Sequence, residues 1–368
     1  MRRTVTVILS VLLLLPLLGG GGCTKKKKTA APEPVFKTRP GVFCPDGTEE
    51  RGAEPPKGLE RYCVKEGAKG DDEVRHGPSV QWMQSGLKDM IGQYMDGKRH
   101  GLFKEWHPNG KPRVAEHFRE DLKHGSEEEW YPSGKLKSRR QWDRGHLIGK
   151  EETLYENGKP RSLGNYKKGQ RDGPWTQWYD NGKKESEAKY KDGVIQGTAR
   201  VWYDNGQLKS TREWEGGKLQ GKWSQWHKNG KKESDGIYVA GKLEGKWTSW
   251  FEDGKPHQEG AYKGGQRQGI WTEWYENGKK KRQAHYEGGR SNGLAIMWFK
   301  SGQKQAEGTW KMDLLHGLVT EWSENGKIKS RGTFEMHRKD GDWTEFHPDT
   351  GKPTVTKWTK GKRTDKGI

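Results

Sequence analysis

The chain has 368 residues, of which only 29% are hydrophobic while 53 are glycine. A compact domain of this length needs a larger apolar interior, so ordinary globular domains are excluded. Nineteen Trp, 12 Tyr and 8 Phe exclude simple disorder. The net charge of +19 indicates anionic partners without choosing among lipid, glycan, acidic protein and nucleic acid. This composition favours a thin repetitive β structure whose units pack only on their neighbours.

The first segment in chain order has the pattern of an export signal. A basic start precedes an apolar run from Val5 to Leu18, which is too short to span a bilayer comfortably. Small residues then lead to Cys23, in a pattern that resembles a bacterial lipoprotein signal. We therefore predict a signal peptide over 1–22, a lipid on Cys23 and a location in the cell envelope, with the outer membrane favoured. An unlipidated secreted protein is the alternative.

Two short segments follow before the regular part of the chain. Residues 23–40 form a basic, proline-containing linker, which we interpret as a solvated spacer or as a contact with anionic headgroups. Residues 41–76 contain Cys44 and Cys63, and an oxidising compartment favours a disulfide between them over two free thiols. We therefore predict a small disulfide-linked cap at the start of the repeats.

A strict repeat of 24 residues begins at Gly77. Glycine recurs at that step in two columns, one starting at Gly77 and the other at Gly86. Asn before the second glycine, as in Asn229-Gly230, is a strong hairpin signal, and the polar stretch before the first glycine indicates a second turn. The spacing predicts twelve repeats over 77–361 and a basic tail over 362–368. The fold class is all-β: an elongated single-layer antiparallel β-meander of twelve 24-residue hairpin repeats.

Aromatic residues fill two further columns of the repeat. Trp recurs at one position, represented by Trp226, and an aromatic residue stands twelve residues later, represented by Tyr238. A small residue commonly precedes the second column by two positions, as Gly236 does. We expect each Trp of the main column to pack across strands over the small residue and against the Tyr.

At this point the sequence resembles a known family. The stretches that begin at Gly221 (GKWSQWHKNGK) and Gly269 (GIWTEWYENGK) resemble the bacterial variant of the MORN repeat, the membrane occupation and recognition nexus. The resemblance covers about three quarters of the chain. It implies an elongated β-meander that serves as an interaction scaffold, and some bacterial relatives carry an antitoxin label. The lipid-binding role often attributed to the family does not follow from the motif.

Two surfaces are candidates for binding. Six aromatic residues stand three positions before the main Trp column, and strand alternation places them on the opposite face. They form either an exposed strip for a protein or a sugar, or a cover for the second face: Phe103, Trp175, Trp223, Trp247, Trp271 and Trp343. Lysines after the turn glycines form either a positive rim or ordinary soluble turns, and include Lys183, Lys231, Lys255 and Lys279.

Catalytic and metal sites are not indicated. Histidines recur just before the first glycine column, but neighbouring members are too far apart to share one ion. Glu127 and its neighbours fall on a strand that we expect to be exposed, where carboxylates are solvated charge. No cofactor motif is present, and export makes nucleic acid an unlikely partner.

These patterns predict a non-enzymatic envelope lipoprotein whose β-ribbon binds a protein or a glycan. One alternative is an antitoxin or immunity-like protein that neutralises a specific toxin. Another is a membrane-surface scaffold that binds anionic lipid through the lysine rim.

Overall fold

A computed structural model describes residues 42–365 of the chain. The predicted signal peptide, the basic linker and Cys23 lie outside the described residues, as do residues 366–368. Between residues 42 and 365 the only helical element is a short 3-10 turn at Gly70–Asp72. No helix long and apolar enough to cross a bilayer occurs in that range.

The described chain forms 29 strands. Those from the cap to the fourth repeat are β1 (Thr48–Ala53), β2 (Glu60–Lys65), β3 (Arg75–Trp82), β4 (Lys88–Met95), β5 (Lys98–Arg99), β6 (Gly101–Trp106), β7 (Pro112–Arg119), β8 (Leu122–Trp130), β9 (Leu136–Asp143), β10 (His146–Leu154) and β11 (Pro160–Lys167). Those of the middle repeats are β12 (Gln170–Arg171), β13 (Gly173–Trp178), β14 (Lys184–Lys191), β15 (Val194–Trp202), β16 (Leu208–Glu215), β17 (Lys218–Trp226), β18 (Lys232–Val239), β19 (Lys242–Trp250) and β20 (Pro256–Lys263). The remainder are β21 (Gln266–Trp274), β22 (Lys280–Glu287), β23 (Arg290–Trp298), β24 (Lys304–Lys311), β25 (Leu314–Trp322), β26 (Ile328–Glu335), β27 (Arg338–Phe346), β28 (Pro353–Thr359) and β29 (Lys362–Arg363).

All of these strands belong to one open antiparallel sheet with meander connections. Consecutive strands pair along the sheet, as β17 pairs with β18 and β18 with β19. β5 and β6 are two parts of one strand, as are β12 and β13, because β4 pairs with both β5 and β6, and β11 with both β12 and β13. The predicted all-β meander is therefore confirmed.

The first glycine column lies inside the strands rather than at a turn. Gly245 has a φ of +71° and lies in β19 where the register to β18 shifts. Glu244 opposes Ile237 and Thr248 opposes Asp235, so three residues of β19 face a single residue of β18. The column is thus a repeated β-bulge, a device that bends and twists a sheet, and glycine supplies the left-handed backbone conformation that it requires.

The two turns of each repeat differ in construction. The turn in the polar stretch is a two-residue hairpin, since Val239 pairs with Lys242 around Ala240-Gly241, both with positive φ. The Asn-Gly turn is a longer loop, in which the amide of Gly230 donates to the carbonyl of His227. Because sequential turns of a meander lie on opposite sides, the Asn-Gly loops line one long rim of the sheet and the two-residue hairpins line the other.

The segment before the repeats is joined to the sheet by strand pairing and carries a disulfide. β1 pairs with β2, and β2 pairs with β3 of the first repeat. The predicted disulfide is present and joins Cys44, which precedes β1, to Cys63 in β2 with a Cα–Cα distance of 5.5 Å. Cys63 and Val64 are fully buried beside it.

Candidate functional site

One face of the sheet, here called the covered face, buries a row of aromatic side chains. Trp271 in β21 is 4% exposed, and its ring packs so closely on Gly260 that a β-carbon there would lie 2.3 Å from it. The rings of Tyr262 and Tyr286 both contact the Trp271 ring in edge-to-face geometry. The Arg267 guanidinium lies 4.2 Å from the ring centre and covers it. This arrangement recurs with variation around Phe103, Trp175 and Trp343.

Of the two expectations for these six aromatic residues, this burial fits the cover for the second face better than the exposed strip. Phe103, Trp175, Trp271 and Trp343 are buried, whereas Trp223 and Trp247 are half-buried. The physical reason is that the small residue on the neighbouring strand lets each ring lie flat against the sheet, where flanking Tyr and Arg side chains close over it. Ligand binding by these rings stays a prediction, and packing already explains four of the six.

The expectation that the main Trp column packs over the small residue was wrong. Trp250 comes three residues after Trp247, so strand alternation places it on the other face, here called the open face. There the Lys232 ammonium lies 5.9 Å from the ring centre. The same lysine–tryptophan contact recurs for Trp202, Trp298 and Trp322. The ring that packs over a small residue is therefore the one three positions earlier.

An ionic network replaces the aromatic row in the third and fourth repeats. Glu127 occupies the position of the buried ring, is 5% exposed, and pairs with Lys123 and Arg140, while Arg140 also binds Glu151. Burial opposes the ionisation of Glu127 most strongly, but hydrogen bonds from Lys123 and Arg140 outweigh it and hold its pKa below the ordinary 4.5. The expectation that Glu127 is solvated charge was wrong, since Arg140 takes the place of the small residue and supplies a buried partner.

The lysine row holds neighbouring turns together. The Lys183 ammonium donates to the Asn205 carbonyl at 2.6 Å, and the Lys231 ammonium donates to the Asp253 carbonyl at 2.7 Å. Lys255 and Lys279 bond the next turn in the same way. These side chains therefore have a structural role, and anion binding by their exposed charge stays a prediction.

Two further columns complete this ladder, and the sequence reasoning missed their role. The Asn229 amide donates to the Glu252 carbonyl of the next repeat at 2.8 Å. The Tyr203 hydroxyl donates to the Trp226 carbonyl, and His227 takes the place of that Tyr in the following turn. The 24-residue step of Tyr or His before the Asn-Gly pair was visible in the sequence, but hydrogen bonds to main-chain carbonyls leave no complementary side-chain pattern.

The open face carries an exposed aliphatic row in the ninth to eleventh repeats. Ile270, Leu294 and Leu318 each follow a glycine of the first column and are 61%, 51% and 58% exposed. The same position holds Lys150, Lys222 and Lys246 in other repeats. We call these three aliphatic residues the apolar row. The sequence signal was present, because three successive repeats replace a polar residue by an aliphatic one at a single column.

A shallow groove of about 640 Å³ lies along Ile270 and Leu294 of the apolar row. Ile270, Leu294 and Ile296 contribute apolar lining, and Lys311 lies among the lining residues as well. Residues 42–365 contain no cluster of His, Cys, Asp and Glu side chains that could hold a metal ion.

Comparison with known proteins places the repeats in a family. The model described as "MORN repeat variant" matches residues 99–120, 123–143, 147–168, 171–192, 195–215, 243–263, 267–287 and 315–336. The stretch from Gly269 lies in a matched segment, whereas the one from Gly221 lies between two of them. No curated protein is similar enough to match.

Two solved structures show weak similarity. One is the TcdB2-TccC3-Cdc42 complex, at 10% identity over 83% of this chain and 20% of that chain, with a TM-score of 0.16. The other is the Tc holotoxin pore of Photorhabdus luminescens, at 10% identity over the same shares, with a TM-score of 0.17. The chain thus spans about a fifth of the length of these structures, and TM-scores this low support no inference.

Proposed function

Because the chain belongs to the MORN repeat variant family through eight of its repeats, we propose that it is a non-enzymatic scaffold that binds a protein partner. The observation that carries this proposal is the apolar row. The repeated Trp, Tyr, Asn and Lys side chains are used by folding, whereas the exposed Ile270, Leu294 and Leu318 side chains contact water and have no structural use in the sheet. Contiguous exposed apolar surface rimmed by polar residues is typical of protein-binding sites.

Capture from solubilised cell envelopes tests the proposal. The bait is the full-length chain, compared with a triple variant in which Ile270, Leu294 and Leu318 are changed to Ser. Leu102→Ser is the matched control, because Leu102 holds the same repeat position and is 37% exposed. The proposal requires a protein that the wild type and the control retain and that the triple variant loses. Equal capture by all three chains would refute it.

The envelope location is part of the same proposal and rests on the residues that lead to Cys23. Mass spectrometry of the N-terminal peptide should find a lipid on this residue, and Cys23→Ser should release the protein from the membrane fraction. An unmodified N-terminus and unchanged fractionation would leave a scaffold without the anchor.

A further inference from the structure

Lys311 is a charged side chain without an internal partner, beside the groove on the apolar row. Among the described residues it makes no ion pair, although Lys304 of the same strand pairs with Glu307 at 2.7 Å. Within residues 42–365 it is the only Lys, Arg, Asp or Glu that lines the groove. A carboxylate placed there would meet an ammonium that has no competing acid, next to apolar surface that excludes water when covered.

The spacing of the apolar row indicates the side-chain spacing of a peptide that could cover it. Ile270, Leu294 and Leu318 lie on alternate strands, so neighbouring members are about two strand spacings, or roughly 10 Å, apart. In a polyproline II segment, which rises about 3.1 Å per residue with three residues per turn, side chains three residues apart share a face and have the matching separation. Apolar side chains at this spacing would cover the row while a nearby acidic residue reaches Lys311.

We propose that the groove binds an acidic, extended segment of a partner protein, with apolar side chains on Ile270 and Leu294 and a carboxylate on Lys311. This inference rests on the proposed scaffold function and adds the chemistry of the partner. Charge complementarity and the unpaired ammonium favour this occupant over a second copy of the chain, in which Lys311 would face a row without acids.

The experiment is selection of short random peptides displayed on phage against the full-length protein. The expected sequences combine Leu, Ile, Phe or Trp with Asp or Glu, and they lose binding to the triple Ser variant. Lys311→Glu should weaken the binding of the acidic peptides by about tenfold or more. A fresh selection against this variant should enrich basic peptides. Lys263→Glu is the control, because Lys263 holds the same repeat position two repeats earlier and likewise has no ion pair in the described chain.

The outcomes separate this inference from the proposed function. Peptides that need the apolar row but show no acidic preference, or that respond equally to the two Lys variants, overturn the inference and leave the scaffold standing. Selection of no peptide that depends on the row overturns the inference, while envelope capture still decides the scaffold. Dimerisation, or binding to phosphatidylcholine vesicles, that is lost in the triple Ser variant would assign the row to a second copy or to a membrane and would also overturn it.

Discussion

At the scale of single residues, the packing of the covered face depends on glycines that leave room for the aromatic rings of the next strand. A β-carbon on Gly164 would lie 1.8 Å from the Trp175 ring, whereas one on Gly236 would find its nearest neighbour at 3.1 Å. Neither glycine has a positive φ, so the space beside it, and not the backbone, decides whether alanine fits. The position of the ring in the next strand thus decides whether alanine can replace each glycine.

Gly164→Ala should destabilise the fifth repeat by about 1–3 kcal/mol, because Trp175 must leave its place against the sheet. Gly236→Ala should be near neutral, because a shift of a few tenths of an ångström is offset by the reduced entropy of the unfolded chain. Hydrogen exchange of the amides in β11, β13 and β14 measures the first effect. Equal protection in the two variants would contradict the assigned packing.

The Glu127 network should give the ribbon an acid-sensitive segment. Because its folded-state pKa is lowered, ionised Glu127 stabilises the fold above the unfolded value of 4.5, and this contribution is lost as the pH falls through the folded-state pKa. Glu127→Gln should cost about 3 kcal/mol at neutral pH, where it removes a buried charge from Lys123 and Arg140. The difference from the wild type should shrink below pH 4.5 in denaturant unfolding monitored at β8–β10. A difference that is constant with pH would show that Glu127 is not ionised in the fold.

At the scale of elements, most Asn-Gly loops are joined to the next loop by hydrogen bonds from their own side chains. The Asn229 side chain accepts a hydrogen bond from the Lys231 amide and donates one to the Glu252 carbonyl. The Asn325 side chain accepts the equivalent bond from Lys327 but makes no bond to the following loop in the described chain. The two Asn side chains thus differ by one inter-repeat bond.

Asn229→Ala should therefore cost about 2 kcal/mol and Asn325→Ala about 1 kcal/mol, at roughly 1 kcal/mol per hydrogen bond. The comparison cancels the loss of the local turn bond that both variants share. Hydrogen exchange at the amides of the following loop is the measurement. A larger effect for Asn325 would mean that the inter-repeat bond contributes nothing.

At the scale of the whole molecule, stability is expected to be local. Consecutive strands form the paired contacts of the sheet, and such one-dimensional architectures transmit a disturbance mainly to adjacent repeats. The Cys44–Cys63 disulfide therefore protects the first edge of the sheet rather than the molecule as a whole.

Replacing both Cys44 and Cys63 by Ser should cost about 3 kcal/mol in the cap, since the bond closes a loop of 19 residues. Faster hydrogen exchange is expected in β1 to β3, with no change in β17 to β28. Uniform acceleration along the sheet would show that the repeats unfold as one cooperative unit.

The features of the fold and of the candidate site that could be predicted from the sequence are the periodic ones. The 24-residue step defined the meander, because turn glycines and aromatic columns recur with every pair of strands. It did not show that Gly245 forms a bulge rather than a turn, since glycine favours positive φ in both settings. The burial of Trp271 was left open, because strand alternation tells faces apart but not which face the neighbouring side chains cover.

The two long rims of the sheet donate hydrogen bonds in opposite directions. On the Asn-Gly rim, Lys231 donates forward to Asp253 of the next repeat, whereas on the hairpin rim the Gly241 amide donates backward to the Leu219 carbonyl. The bond dipoles of these two rows consequently point in opposite directions along the sheet. Each added repeat extends both rows with the same donors and acceptors, so the ribbon can lengthen without leaving a new polar group unpaired at either rim.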